Sequence, residues 1–313
     1  PAVLCLLLLP FQRPLLAYLG EPMLLSVEEG ARERWFEDFD KLATSPHSFF
    51  TCYNPFLSAM IEHQTGLQLP TIRLHGLYTE ASYTPGGRRG DEVLVIKGPN
   101  ICIDSVCVLN RFVSNLRNSR GEDDAAELST KFVGLDELGG AAYDVLASFK
   151  ATVLYPYDVA LAIFYELYSM GMPLLLPHVK LLPFFVFRGL HSAAEYHQVR
   201  PGKTGSGFFP GAGIGCPPFI PSLEPDRWFY AGSPWSERTD FAKFPFLLRF
   251  GSVAELLALL APGQTDWART SRDMRRFNQE TLTQSATSWA YGVAAVLSGS
   301  GGASRATEVF ATP

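Results

Sequence analysis

The sequence predicts an α/β protein with parallel sheets, arranged as two domains. Two runs of alternating strand and helix patterns carry this expectation, one before residue 75 and one after residue 92. Between them lies Thr84-Pro-Gly-Gly-Arg-Arg-Gly-Asp91, all turn and charge, which reads as a linker. The length agrees: 313 residues, 47% hydrophobic and 18% charged, suit two ordinary cores and exclude wholesale disorder.

In the first run, residues 3–9 (Val-Leu-Cys-Leu-Leu-Leu-Leu) read as a buried strand. Pro10, Gln12, Arg13 and Pro14 end that apolar run well short of the roughly 20 residues of a membrane span. The charge also follows the run rather than preceding it, unlike a signal peptide. Leu15–Leu19 is a second strand. Residues 31–43 form a helix with Trp35, Phe36, Phe39 and Leu42 on one face. Phe49–Cys52 is a short strand. Asn54 and Pro55 supply an N-cap and a first helical residue for a helix that ends at Gly66. Leu69–Leu74 reads as another strand.

The second run opens with a strand at Val93–Ile96 and a helix over 102–117. A polar stretch at 118–130 follows, then a strand at Phe132-Val133 and a helix over 138–149. Ala151–Tyr155 is a strand, residues 159–170 a helix and Pro173–Pro177 the next strand. Gly and Pro crowd residues 200–225, an irregular insertion. Helices are expected over 253–260 and 266–297, and the Ser/Gly/Ala-rich residues 298–313 read as a disordered tail. The domains are therefore placed at 1–88 and 92–297.

Composition removes several function classes. A net charge of -5 leaves no global footprint for nucleic acid. The five cysteines, Cys5, Cys52, Cys102, Cys107 and Cys216, are sparse and odd in number, which argues against a disulfide framework. No Asn-x-Ser/Thr acceptor occurs. These features favour the cytoplasmic side while leaving the compartment open. The chain opens at Pro1 rather than Met, so it is expected to begin inside a longer protein, with its first lobe incomplete.

The chemistry concentrates in Tyr155-Pro-Tyr-Asp-Val-Ala-Leu-Ala-Ile-Phe-Tyr-Glu-Leu-Tyr-Ser-Met-Gly-Met-Pro173. Tyr155, Tyr157 and Asp158 fall at the carboxyl end of a strand, where open α/β sheets bind ligands. Glu166 is the only charge between Val159 and Met170, so it belongs to a buried helix and needs partners. On one helix, eight positions turn through roughly 800°, bringing Asp158 and Glu166 within about 80° of each other. Two carboxylates so placed suit recognition of sugar or ribose hydroxyls. Alternatively, Asp158 caps the helix and Glu166 pairs with an arginine.

This segment resembles the donor-site motif of GT-B glycosyltransferases, Glu-x7-Glu followed by x4-Gly-x-Pro. Asp158 stands at the first Glu, Glu166 at the second, and Gly171 and Pro173 at the Gly and Pro. Phe241–Leu256 resembles the family's late strand and following helix, and Arg272–Trp289 its C-terminal helices. The likeness covers residues 93–297. It implies two Rossmann-like lobes of GT-B type, the first an acceptor-side lobe. The implied activity is metal-independent transfer of a sugar from a nucleotide-sugar co-substrate to an unknown acceptor, with no cofactor. Glu166 would hold ribose hydroxyls and Asp158 the donor sugar, with Tyr155 and Tyr157 shaping the pocket. Lys97 is the best-placed cation for a diphosphate. His75, following the strand expected at 69–74, is a candidate base for the acceptor hydroxyl. Two departures stand out: Val159-Ala160-Leu161 replaces the family's Gly-containing loop, and Asp158 is one methylene shorter than Glu. They fit the alternative of a non-catalytic GT-B-like binding or partner-interaction protein.

Other patterns lack the frame their chemistry needs. Gly202-Lys203-Thr204 has His197 where a phosphate loop needs its first Gly, and Gly211–Gly215 lacks dinucleotide spacing. His191 with His197, and Cys102 with Cys107, have poor metal spacing. Asp123-Asp124 lies in a charged loop, and Arg89-Gly90-Asp91 reads as turn composition.

Overall fold

A computed structural model of the chain describes residues 14–24, 27–98, 105–119, 130–189 and 233–302. The strand expected at 3–9, the insertion at 200–225 and residues 303–313 lie outside the described residues. So do Cys5, Cys102, Cys216, Asp123-Asp124, His191, His197, Gly202-Lys203-Thr204 and Gly211–Gly215.

The chain forms an α/β structure with parallel sheets, divided into two compact units. One takes residues 1–74, 191–242 and 281–313; the other takes 75–190 and 243–280. The stretch 84–91, read as a linker, lies within the second unit: Tyr83 N–H donates to Met170 O and Gly87 N–H to Thr84 O. Arg89-Gly90-Asp91 is not a free turn but the start of a strand. Arg89 pairs with Glu92 at 2.8 Å and lies over the Phe149 ring.

The first unit holds a two-stranded parallel sheet of β1 (Leu15–Leu19) and β2 (Ser48–Cys52), with Ala17 opposite Phe50. Helix α1 (Arg32–Thr44) buries Phe36, Phe39 and Leu42, as its periodicity requires, and Phe39 meets Phe50 at 5.5 Å. Helix α2 (Pro55–Thr65) is bounded by the residues its sequence nominates. Asn54 accepts the Leu57 N–H at 2.8 Å, and Gly66, at φ 77, closes the helix in the left-handed region. The strand expected at 69–74 is reduced to one bridge, Thr71 beside Cys52. Pro70 has no N–H to extend the ladder, though its carbonyl accepts from Cys52 N–H at 3.0 Å.

The second unit holds a five-stranded sheet, every neighbour parallel. Its strands are β3 (Arg89–Ile96), β4 (Lys131–Gly134), β5 (Phe149–Leu154), β6 (Leu174–Pro177) and β7 (Leu248–Phe250), in the spatial order β4-β3-β5-β6-β7. Val93, Val95, Ala151, Val153 and Leu175 form one core cluster with Leu109 and Val113 of α3 (Ser105–Ser119). Leu256, Leu257 and Leu260 join it from the later helix Val253–Leu260. The alternate strand residues, Leu94, Thr152, Leu154, Leu174 and Leu176, are equally buried. Such strands are covered on both faces, as all-parallel sheets are.

Two helix expectations change here. Residues 138–149 hold only the short α4 (Tyr143–Leu146), because Gly139 and Gly140 take positive φ and β5 already begins at Phe149. The helix expected from Val159 starts later, as α5 (Ala162–Ser169), because Leu161 is extended and Asp158 takes the Val159 N–H. The remaining helices are α6 (Leu182–Gly189), α7 (Asp240–Lys243), α8 (Val253–Leu260) and α9 (Trp267–Leu297), 31 residues without a break.

The division of the chain falls within α9. Residues up to 280 belong to the second unit, where Phe277 meets Phe244 at 5.4 Å. Residues from 281 belong to the first, where Trp289 and Val296 pack with Phe49 and Ile72. A Cβ at Gly292 would stand 2.6 Å from the Phe49 ring, so that contact needs glycine. Residues 298–302, expected in a disordered tail, are instead tied down. Gly301 N–H donates to Pro46 O and Gly302 N–H to Ser48 O, at 2.7 and 2.8 Å.

Candidate functional site

The order β4-β3-β5 places a topological switch point between β3 and β5, where chain order reverses across adjacent parallel strands. Lys97 follows the last residue of β3 and Tyr155 the last of β5. The Tyr155 N–H donates to Ile96 O at 2.9 Å, so these two strand ends are neighbours. Lys97 Nζ lies 3.9 Å from Asp136, in the turn after β4. A cation and the segment 155–158 therefore share the sheet edge where parallel α/β sheets bind ligands.

The expected residues of that segment differ in surroundings. The Tyr155 ring packs at 5.1 Å from Phe185 and 6.0 Å from Phe250, beside the apolar core. Tyr157 is half-buried; burial raises its phenol pKa, and the charges of Asp158 and Glu166 add to the rise. Asp158, half-buried, accepts the Val159 N–H at 2.6 Å. It precedes α5, so helical rotation is not what relates it to Glu166.

Glu166 sits mid-way along α5 and is 8% exposed. A buried carboxylate left without donors is costly. Here the donor is a phenol: Tyr78 O–H donates to Glu166 Oε1, and the Tyr143 ring stands 6.1 Å from that of Tyr78. Burial first, and then Glu166 itself, raise the pKa of both phenols, so they stay protonated. Among the described residues no Lys or Arg forms an ion pair with Glu166. Neither tyrosine stood out in the sequence. Tyr78 lies in the one-turn helix Leu77–Thr79, and the approach is made by Gly76, where a Cβ would stand 2.6 Å from Glu166 Cα. Gly76, two residues before Tyr78, was the one available clue.

A second network adjoins the first through Gly76. Its N–H donates to Ser169 Oγ at 3.0 Å, and Ser169 Oγ–H donates to Asn278 Oδ1 at 3.3 Å. His75 Nδ1 lies 3.1 Å from the same Oδ1. Since Oδ1 is an acceptor, Nδ1 carries the proton, and in the neutral ring Nε2 is the basic nitrogen. Orientation of an imidazole through one nitrogen is what a general base needs. Ser169 and Asn278 were not singled out by sequence, although Ser169 stands three residues after Glu166.

Gly171 and Pro173 have structural roles at the far end of α5. Gly171, at φ 72, reverses the chain in a Schellman turn: its N–H donates to Tyr168 O and the Met172 N–H to Leu167 O. A Cβ there would stand 2.8 Å from Arg275 Cγ. The Pro173 carbonyl accepts from Thr152 N–H at 2.9 Å and starts β6 in register.

No protein-family model, curated protein or solved structure matches the chain. The arrangement itself is therefore what bears on function. Among the described residues, no three His, Cys, Asp or Glu side chains gather as a metal ion requires, and no helix is long and apolar enough to cross a membrane. What the arrangement offers is a buried carboxylate met by a hydroxyl donor, a cation at a switch point, and an oriented imidazole.

Proposed function

We propose that the chain is a divergent glycosyltransferase of GT-B type, moving a sugar from a nucleotide-sugar to an acceptor hydroxyl without a required metal. The observation that supports this best is Glu166, a buried carboxylate whose partner is a phenolic hydroxyl rather than a cation. It follows the switch-point strand β5, in the motif Asp158-x7-Glu166-x4-Gly171-x-Pro173. On this reading the second unit is the donor lobe and the first unit the other Rossmann-like lobe.

Glu166 accepts the ribose hydroxyls, in place of the Tyr78 hydroxyl it holds without ligand. Asp158 and Tyr157 bind the donor sugar, Tyr155 backs the pocket, and Lys97 faces the diphosphate. His75, held through Nδ1 by Asn278, takes the acceptor hydroxyl proton at Nε2. The acceptor oxygen forms the new bond to the anomeric carbon as the bond to the nucleoside diphosphate breaks, and Lys97 stabilises the leaving charge. A second reading, a binding module without turnover, draws support from Val159-Ala160-Leu161. Val159 and Leu161 are buried apolar residues where close backbone approach to a phosphate would call for glycine.

A thermal-shift series with UDP, GDP, ADP and CMP and their sugars tests this, with Glu166→Ala in parallel. A ligand at about 100 times its dissociation constant adds about 2.7 kcal/mol of stability. A shift with one nucleotide, lost in the variant, is expected. Release of free sugar or nucleotide then separates enzyme from binding module. No shift with any nucleotide overturns the reading.

A further inference from the structure

The first unit contains a recess of about 110 Å³ that none of the residues above line. Its walls are Thr71 and Arg73 on one side, and Thr281, Gln284, Ser285 and Ser288 on the other. The last four lie at helical spacing on α9, where the next residue, Trp289, and Val296, about two turns further on, pack with Phe49 and Ile72. One helix thus changes from a polar to an apolar lining along its length. Thr281 and Ser285 are 5% and 7% exposed, so this polar stretch is not a solvated outer face.

The charge of the recess is balanced. Its one cation, Arg73, pairs with Asp240 at 3.3 Å, and Asp240 is 1% exposed. Asp240 is not part of the lining, but its charge offsets that of the guanidinium. Thr, Ser and Gln side chains both donate and accept hydrogen bonds, as a ligand hydroxyl does. Hydroxyl and amide partners on a charge-balanced lining match a neutral molecule with hydroxyls on its rim.

We propose that this recess binds a neutral polyhydroxylated molecule of monosaccharide size. Empty, such a polar cavity fills with water, and ligand hydroxyls that reproduce the hydrogen bonds of those waters replace them at little loss. The site is independent of the nucleotide-sugar reading, because its lining belongs to the other unit and excludes Glu166.

The test is saturation-transfer NMR of the full chain with glucose, galactose, mannose, N-acetylglucosamine and myo-inositol, each titrated to its dissociation constant. Ser285→Leu fills the recess, Gln284→Ala removes an exposed donor that folding does not need, and Glu166→Gln leaves the recess untouched. The expected result is saturable binding of at least one polyol, abolished by Ser285→Leu, weakened about tenfold by Gln284→Ala, as for loss of about 1.4 kcal/mol, and unchanged by Glu166→Gln. Should Ser285→Leu fail to fold, Gln284→Ala carries the comparison alone. Failure of all five polyols to bind overturns the proposal, as does binding that both recess variants retain. Competition by inorganic phosphate at equal concentration overturns it in favour of an anion site. Loss of polyol binding in Glu166→Gln alone would reassign that binding to the second unit.

Discussion

Asp240 and Glu166 are both buried carboxylates, 1% and 8% exposed, and each unit satisfies its own differently. Asp240 faces the Arg73 guanidinium, a partner of opposite charge built into the chain. Glu166 is met by a phenol, Tyr78, that lends a hydrogen bond and no charge. In the first arrangement the compensating charge is fixed in the chain. In the second, a hydroxyl of similar reach could replace the phenol, and on the proposed function a ligand hydroxyl does so.

The strongest way to break this contrast is Asp240→Ala. It removes the charge partner of the half-buried Arg73 and should cost about 1–3 kcal/mol in urea denaturation. A cost below about 0.5 kcal/mol would show that the pair is merely superficial. Next in size is Gly76→Ala, whose new methyl meets the α5 backbone and should cost about 1–3 kcal/mol while pushing Tyr78 off Glu166. Unchanged stability would mean the turn at 76–79 is not held as described. Glu166→Gln keeps an acceptor for Tyr78, so its stability should change by less than about 1 kcal/mol even as nucleotide binding falls. A loss as large as that of Asp240→Ala would make Glu166 architectural too.

Thr152 supplies a third case, a fully buried hydroxyl on β5 with no hydrogen-bond partner among the described residues. Thr152→Val should raise stability by about 1 kcal/mol, and a loss on chemical denaturation would reveal a partner for that hydroxyl. The smallest effect concerns His63, buried against Trp235, whose pKa burial lowers below 6.5. The unfolded chain then takes up the proton first. Stability is held above about pH 6.5 and declines as the pH falls below it. His63→Leu should flatten that decline; an identical pH profile would assign it to other groups.

Local chemistry made much of the fold legible in the sequence. Asn54-Pro55 and Gly66 bound α2, and Val253–Leu260 is α8 residue for residue, because caps and periodicity are encoded within a few neighbours. What competes with periodicity was harder to read. Asp158 capturing the Val159 N–H delays α5, and Gly139-Gly140 breaks what looks like one helix into fragments. At the candidate site, Tyr157, Asp158 and Glu166 were visible as a motif, whereas Tyr78, Tyr143 and Asn278 join them only through chain folding over 88, 23 and 112 positions. No spacing rule reaches that far. The same holds for the membership of the units, since nothing in residues 281–302 announces that they return to the strand at Ser48.

That return sets the order in which the protein can be finished as it is made. Residues 15–74 leave the ribosome first, yet Phe49 and Ile72 must wait for Trp289 and Val296, and the Ser48 carbonyl for Gly302. The second unit has all its segments by residue 280. Domains usually fold in the order they are synthesised; within this chain the unit whose strands come earlier is closed later, by residues 281–302.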